Sequence, residues 1–272
     1  SISLAGATVS GGSIGTTLGG KLQIDSGAAS TIANAFIVND GSVAVGNVGQ
    51  AGTLEIGGSV YLLRGGSLNL TDNAGSALIS NGSTAMLTNN RGTITGAGTI
   101  GDANLSIVNH GFIEATGANR LTIAGAGIAN DGVLMAIGGM LVVTAPLTTP
   151  GTGSGRGFVE AGSTLDYAGS VASGQTAIFQ GAGGHLVLDQ STNFHGKIAG
   201  FGGSDTIDLG DALFNGTTAP SQVTQSGSDT MVTVTEGAAN FTLDLLNQGA
   251  GVSYKLEADN RTPHAGTMLM IG

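Results

Sequence analysis

Reactive chemistry in this chain must come from carboxylates and histidines, because its 272 residues include no Cys and no Trp. The densest acidic set lies on the glycine-rich stretch Gly202-Gly203-Ser204-Asp205-Thr206-Ile207-Asp208-Leu209-Gly210-Asp211. Asp205, Asp208 and Asp211 are the candidate metal ligands there, with Ca²⁺ as the only candidate cofactor. One loop supplies too few of the roughly six to eight oxygens that Ca²⁺ takes. The plainer reading of these residues is turn and strand Asp.

A second set, Glu114, Glu160, Asp166 and Asp189, falls on strand-like runs. Enzymes built on stacked strands act on polysaccharides through carboxylates placed beside Arg or Lys on one exposed face. Glu114 has Met135 at the equivalent place one repeat later, so no stacked acidic pair forms. Basic residues number only 8, and Tyr61, Tyr167 and Tyr254 are the only tyrosines available as sugar platforms. These carboxylates read as solvated strand residues. His110, His185, His195 and His264 lack the i, i+2 or i, i+4 spacing of metal sites, and no catalytic residue is assigned.

The elements that must carry these groups are legible in one repeated phrase. Asn109-His110-Gly111-Phe112-Ile113-Glu114-Ala115 returns as Asn130-Asp131-Gly132-Val133-Leu134-Met135-Ala136, and Leu121-Thr122-Ile123 returns as Leu141-Val142-Val143. The offsets are 21 and 20 positions. A period of about 20 built from short strands and Gly/Asn corners defines a solenoid, whose repeats bury their apolar faces only by stacking. Runs of period 2 recur throughout, and no window sustains helical spacing. The expected fold is all-β: a right-handed parallel β-helix, or β-solenoid, of about three short strands per coil. Asn39, Asn109 and Asn130 either form an inward ladder or occupy left-handed corners.

Leu141, Leu165 and Leu186 keep the period across one insertion, which assigns 148–156 to a projecting loop. Residues 1–193 are read as β-helix coils. After Asn193 the rhythm changes, and Met231-Val232-Thr233-Val234 and Phe241-Thr242-Leu243-Asp244-Leu245 read as antiparallel strands about Glu236-Gly237. Residues 194–272 are therefore terminal coils and an atypical C-terminal cap, continuous with the solenoid.

Composition narrows the partners. The net charge of −10 opposes binding to nucleic acid. No stretch reaches about 18 apolar residues, so no transmembrane segment is expected. Zero Cys excludes a disulfide framework.

The segment F-x-G-x-I-x-G-F-x-x-x-D-x-I-D-L, from Phe194 to Leu209, resembles a module of large secreted and surface proteins of alphaproteobacteria. The preceding N-x-G-x-I/L-x-A coils resemble passenger regions of autotransporter adhesins, and Gly202–Ile207 resembles part of the Ca²⁺-binding nonapeptide of β-rolls. The resemblance spans roughly residues 85–272. It implies a secreted or cell-surface β-helical protein and carries no catalytic residues; the expected work is structural or adhesive, and strand edges with sparse charge lead to the expectation of association with itself or with surface polysaccharide. A carbohydrate-active enzyme or carbohydrate-binding module on the same scaffold is the alternative.

Alternation places Ile113 inward and Glu114 outward. Ile113→Asp is expected to unfold or fray the solenoid, because a buried unpaired carboxylate costs several kcal/mol, whereas Glu114→Ala is nearly silent. Thermal unfolding of the two variants checks this, and equal losses would mean that the register is wrong.

Overall fold

The computed structural model describes residues 1–237, 239–259 and 266–272, with the backbone alone at Ala239. Nearly all regular structure is β, with one 3₁₀ turn at Ser191–Asn193. About nine stacked turns form a parallel β-solenoid. Each turn has three faces because the chain bends at small or left-handed residues after every four or five strand positions.

The first face stacks Thr93–Gly96 on Phe112–Ala115, Val133–Ala136 and Gly155–Glu160, all parallel. The second and third faces, separate strands Thr8–Ser10 and Ser13–Thr16 in the first turn, then run as single long strands, Ser30–Asn39, Thr53–Leu63 and Ala77–Asn90. Their bends are marked by register shifts between Ala33 and Ala35 and between Ile56 and Gly58. Later turns split the long strand in two, as in Leu121–Ile123 and Gly127–Asn130. The third face then thins to single bridges, Leu147 to Val171 and Val171 to Phe194.

Period-2 patterning sets which side chains enter the core. Ile94, Ile113 and Leu134 stack in register on the first face, and Leu121, Leu141, Leu165 and Leu186 on the second. All are fully buried in one core that runs from Leu22 to Leu269. The expected pairings of Ile113 with Leu134 and of Leu121 with Leu141 are those found.

At the corner between the third and first faces the interior is polar. Asn89 Nδ2 donates to Asn109 Oδ1 at 2.8 Å, and Asn109 Nδ2 donates to Asn130 Oδ1 at 2.8 Å. Asn130 Nδ2 then donates to Gln175 Oε1 at 3.1 Å, passing over a turn that has only Gly155 at this place. A Cβ on Gly155 would lie 2.2 Å from that Gln175 oxygen, so the glycine is what lets the longer amide reach across. Asn39 is equally buried and donates to the Ser67 carbonyl at 2.8 Å. The ladder is thus the outcome at Asn109 and Asn130, whereas Asn39 also turns inward but bonds to Thr16 and Ser67 and to no other Asn among the described residues; left-handed backbone among the described non-glycine residues falls to Asn34, Arg64, Arg91 and Asn247. The corner Asn90-Arg91-Gly92 holds one more residue than the next corner, His110-Gly111, so Asn89 enters the ladder and Asn90 is exposed. Asn89 Oδ1 has no hydrogen-bond partner, because the preceding turn presents Leu62 there.

Two further expectations change. Gly155 and Arg156 begin the strand Gly155–Glu160, so the projecting loop ends at 154. Tyr167 is a core residue: a Cβ on Gly157 would lie 2.0 Å from its hydroxyl, so the ring fills the space that Gly157 leaves. That hydroxyl has no partner among the described residues, and burial pushes its pKa up.

Beyond Thr206–Leu209 the pairing turns antiparallel. Asp229–Glu236 pairs with Ala239–Leu246, which lies parallel to Lys197–Ala199. Tyr254–Ala258 pairs with Thr267–Ile271, which lies antiparallel to Thr206–Leu209. The C-terminal segment therefore prolongs two of the three faces.

Asn109→Ala removes two ladder bonds and leaves Asn130 Oδ1 without its donor, an expected loss of about 1–3 kcal/mol. Tyr167→Phe removes an unpartnered buried hydroxyl and is expected to be neutral or stabilising. Denaturant melts of both variants check the pair of signs, and a destabilised Tyr167→Phe would show that the hydroxyl is bonded.

Candidate functional site

The repeated corner directs its Asn inward and the next residue outward, so His110 and Asp131 stack on the outer edge. His110 Nδ1 lies 2.5 Å from Asp131 Oδ1. In the following turn the insertion brings in Gly153 and Ser154, and Arg156 falls in register with Val133. Asp131, Val133, Ser154 and Arg156 line a shallow depression of about 340 Å³. Arg156 is exposed and makes no ion pair among the described residues. Phe112, 42% exposed, is the partner of Val133 on the other side.

This grouping supplies a free guanidinium, a hydroxyl and one carboxylate already paired with an imidazole. It can hold an anionic or hydroxyl-bearing group by charge and hydrogen bonding. Glycoside hydrolysis in its usual form needs two carboxylates across the scissile bond, and Asp131 is the one carboxylate lining the depression. Sequence reasoning missed this site because it placed Arg156 in the loop. The usable signal was the alternation Arg156, Phe158, Glu160 outward with Gly157 and Val159 inward.

Of the strand carboxylates, Glu114 stands between Thr95 and Met135 in the adjoining turns. Desolvation there raises its pKa. Glu160 and Asp189 are half-buried. Asp166 departs from the solvated reading: it is 6% exposed, in register between the buried Val142 and Val187.

The Ca²⁺ candidates serve separate places. Asp205 is buried and braces a corner, accepting from Gly184 N and Gly202 N at 2.9 Å each. Asp208 is half-buried on the strand Thr206–Leu209. Asp211 accepts from the backbone N of Ser191 at 3.0 Å and from its hydroxyl. Among the described residues no three His, Asp or Glu side chains converge in the manner of a metal site. His185 Nδ1 lies 2.7 Å from Thr206 Oγ1, and His195 is exposed. His264 lies outside the described residues.

Many charged groups join one turn to another. Asp72 accepts from Ala118 N and Asn119 N at 3.0 Å each, two turns on, and these bonds, that of Asn119 foremost, hold its carboxyl below the usual range. Burial pushes the Asp102 carboxyl up, but hydrogen bonds from Ser80, Asn104 and Leu105 outweigh it and the net direction is down. Glu55 accepts from Thr31 Oγ1 at 2.8 Å, and Arg64 pairs with Asp40 at 3.0 Å.

The class defined by this arrangement is a parallel β-solenoid whose polar side chains bind turn to turn. Compared with known proteins, the chain matches no family model and no curated sequence.

Glu114 gives a pH test. Its folded pKa lies above the unfolded one, so its contribution to stability is fully present below the unfolded value and is lost as pH rises through the folded value. Glu114→Gln is therefore expected to raise the melting temperature at neutral pH and to match the parent at about pH 3, where both side chains are neutral. Melting curves at the two pH values check it, and an equal difference at both would remove desolvation as the cause.

Proposed function

We propose that this chain is a non-catalytic structural and adhesive β-solenoid of a secreted matrix or bacterial cell surface. One observation carries the reading: charged side chains such as Asp72, Asp102, Asp205 and Asp211 are bound to residues about one or two turns away. Polar chemistry on this surface goes into a continuous rod. The resemblance of the Phe194–Leu209 segment to secreted surface modules supports the location, and the low charge of the outer faces favours contact with other surfaces.

Self-association is part of the reading. Head-to-tail joining of copies through the repeating strand faces yields an open filament. Partners are surface polysaccharides or further copies of the chain.

The second reading, a carbohydrate-active enzyme or binding module, is favoured by the Asp131 and Arg156 depression. Incubation with acidic and neutral polysaccharides separates the two. The structural reading expects elongated particles that lengthen with concentration in electron micrographs and sedimentation, with no new reducing ends. Reducing ends that appear with the parent protein and vanish in Asp131→Asn or Glu160→Gln would establish the enzyme.

A further inference from the structure

The third face carries no charged residue along a groove that runs through several turns. Three shallow depressions lie on it. The first, about 190 Å³, is lined by Asn34, Ala35, Phe36, Ser59 and Tyr61. The second, about 290 Å³, begins at the same Ser59 and reaches Met86 and Ser106. The third, about 300 Å³, begins at the same Ser106 and reaches Thr148. The shared serines make them one track parallel to the rod. Two columns in register run along it, Ser59, Met86, Ser106 and Phe36, Tyr61, Thr88, Val108, Ala129, Thr148; the first lines the middle depression, where Thr88 is buried, and the second lines the two outer ones.

At one end of this track stands an aromatic platform. The rings of Phe36 and Tyr61 stack with centroids 5.3 Å apart and planes 24° from parallel. Phe36 is 47% exposed, because its partner in the preceding turn is only Ser13. The pair is held at the bend of the long strands. There Asn34 adopts a left-handed φ of 47° and its Oδ1 accepts from Ser59 N at 3.3 Å. Gly58 is required beside it, since a Cβ there would lie 2.1 Å from that Oδ1.

From this geometry we infer that the third face binds an uncharged polysaccharide lying along the rod, with one sugar ring seated at Phe36 and Tyr61. The inference deepens the adhesive reading and rests on it. An aromatic face carries negative π density, which attracts the weakly positive C–H bonds on the flat side of a pyranose. Asn34 and Ser59 at the rim, with Ser106 and Thr148 further on, offer donors and acceptors to hydroxyls in the way that a few polar groups orient a ligand in an apolar cleft. Strand stacking repeats the outward column about every 4.8 Å, so an extended chain meets the same kind of surface at each turn. An anionic glycan or a nucleic acid finds no cation here, and the net charge of −10 repels both.

The test is affinity electrophoresis and calorimetry with laminarin, xyloglucan and dextran as neutral probes and polygalacturonate as the anionic one. Phe36→Ser/Tyr61→Ser is the disrupting variant, Phe36→Tyr the conservative one, and Phe112→Ser the control on another face. Circular dichroism confirms that each is folded. Binding of a neutral glycan that is insensitive to salt, falls about tenfold or more in the double variant, and persists in Phe36→Tyr and Phe112→Ser is the expected result. Neutral-glycan binding unchanged in the double variant, or binding of polygalacturonate alone, overturns this site while leaving the adhesive reading in place. Loss of filament formation in place of glycan binding in the double variant assigns the face to a second copy and overturns the site as well. No binding to any probe overturns the site, and the adhesive reading falls with it only if filaments are absent as well.

Discussion

A single turn of about 20 residues cannot enclose a core, so every apolar side chain here depends on the turns stacked against it. The backbone enforces that stacking. Strand N–H and C=O groups point along the stack and must find partners in adjoining turns, which fixes the register to a residue and lines up Ile113 with Leu134 and Leu121 with Leu141. Close approach at the corners then selects glycine. A Cβ on Gly132 would lie 2.2 Å from the Gly111 carbonyl oxygen, and one on Gly111 would lie 2.2 Å from that of Gly92. Glycines such as these are a consequence of stacking distance at the bends, whereas others, such as Gly11 and Gly19, have open space about them and a left-handed φ.

The same constraint decides what happens to polar groups. A corner that turns inward carries amide-bearing side chains into the interior, where an unpaired amide is costly. Repetition solves this, because each Asn finds another at the same place one turn away. Where the repeat lapses, the structure shows how far the solution stretches: Gln175 reaches past Gly155 to Asn130, whereas Leu62 leaves Asn89 Oδ1 without a partner. Outside the core the acidic residues follow suit, binding N–H groups and hydroxyls in neighbouring turns. A rod made in this way presents binding surfaces on its flanks as bands parallel to its axis, since whatever one turn exposes the next continues.

The sequence by itself determined the fold, because a repeated phrase states both the strand period and the turn length. Asn109 to Ala115 and Asn130 to Ala136 were enough to give register, inward residues and the parallel stack, and the apolar alternation about Glu236-Gly237 gave the change to antiparallel pairing. Local patterns of this kind need no knowledge of distant contacts. What only the tertiary structure decided were groupings between residues of unequal offset. The extra residue at the Arg91 corner put Asn89 into the ladder and left Asn90 outside it, and the insertion before Gly155 placed Arg156 beside Asp131. The burial of Tyr167 depended on the space at Gly157, and Asp166 is buried although its strand alternation reads it as solvated. The meeting of Phe36 with Tyr61, which share no motif, arose from two bends that shift register. Insertions and bulges change which turn a residue faces without altering its local pattern, and for that reason the surface sites were hidden in a sequence whose core was plain.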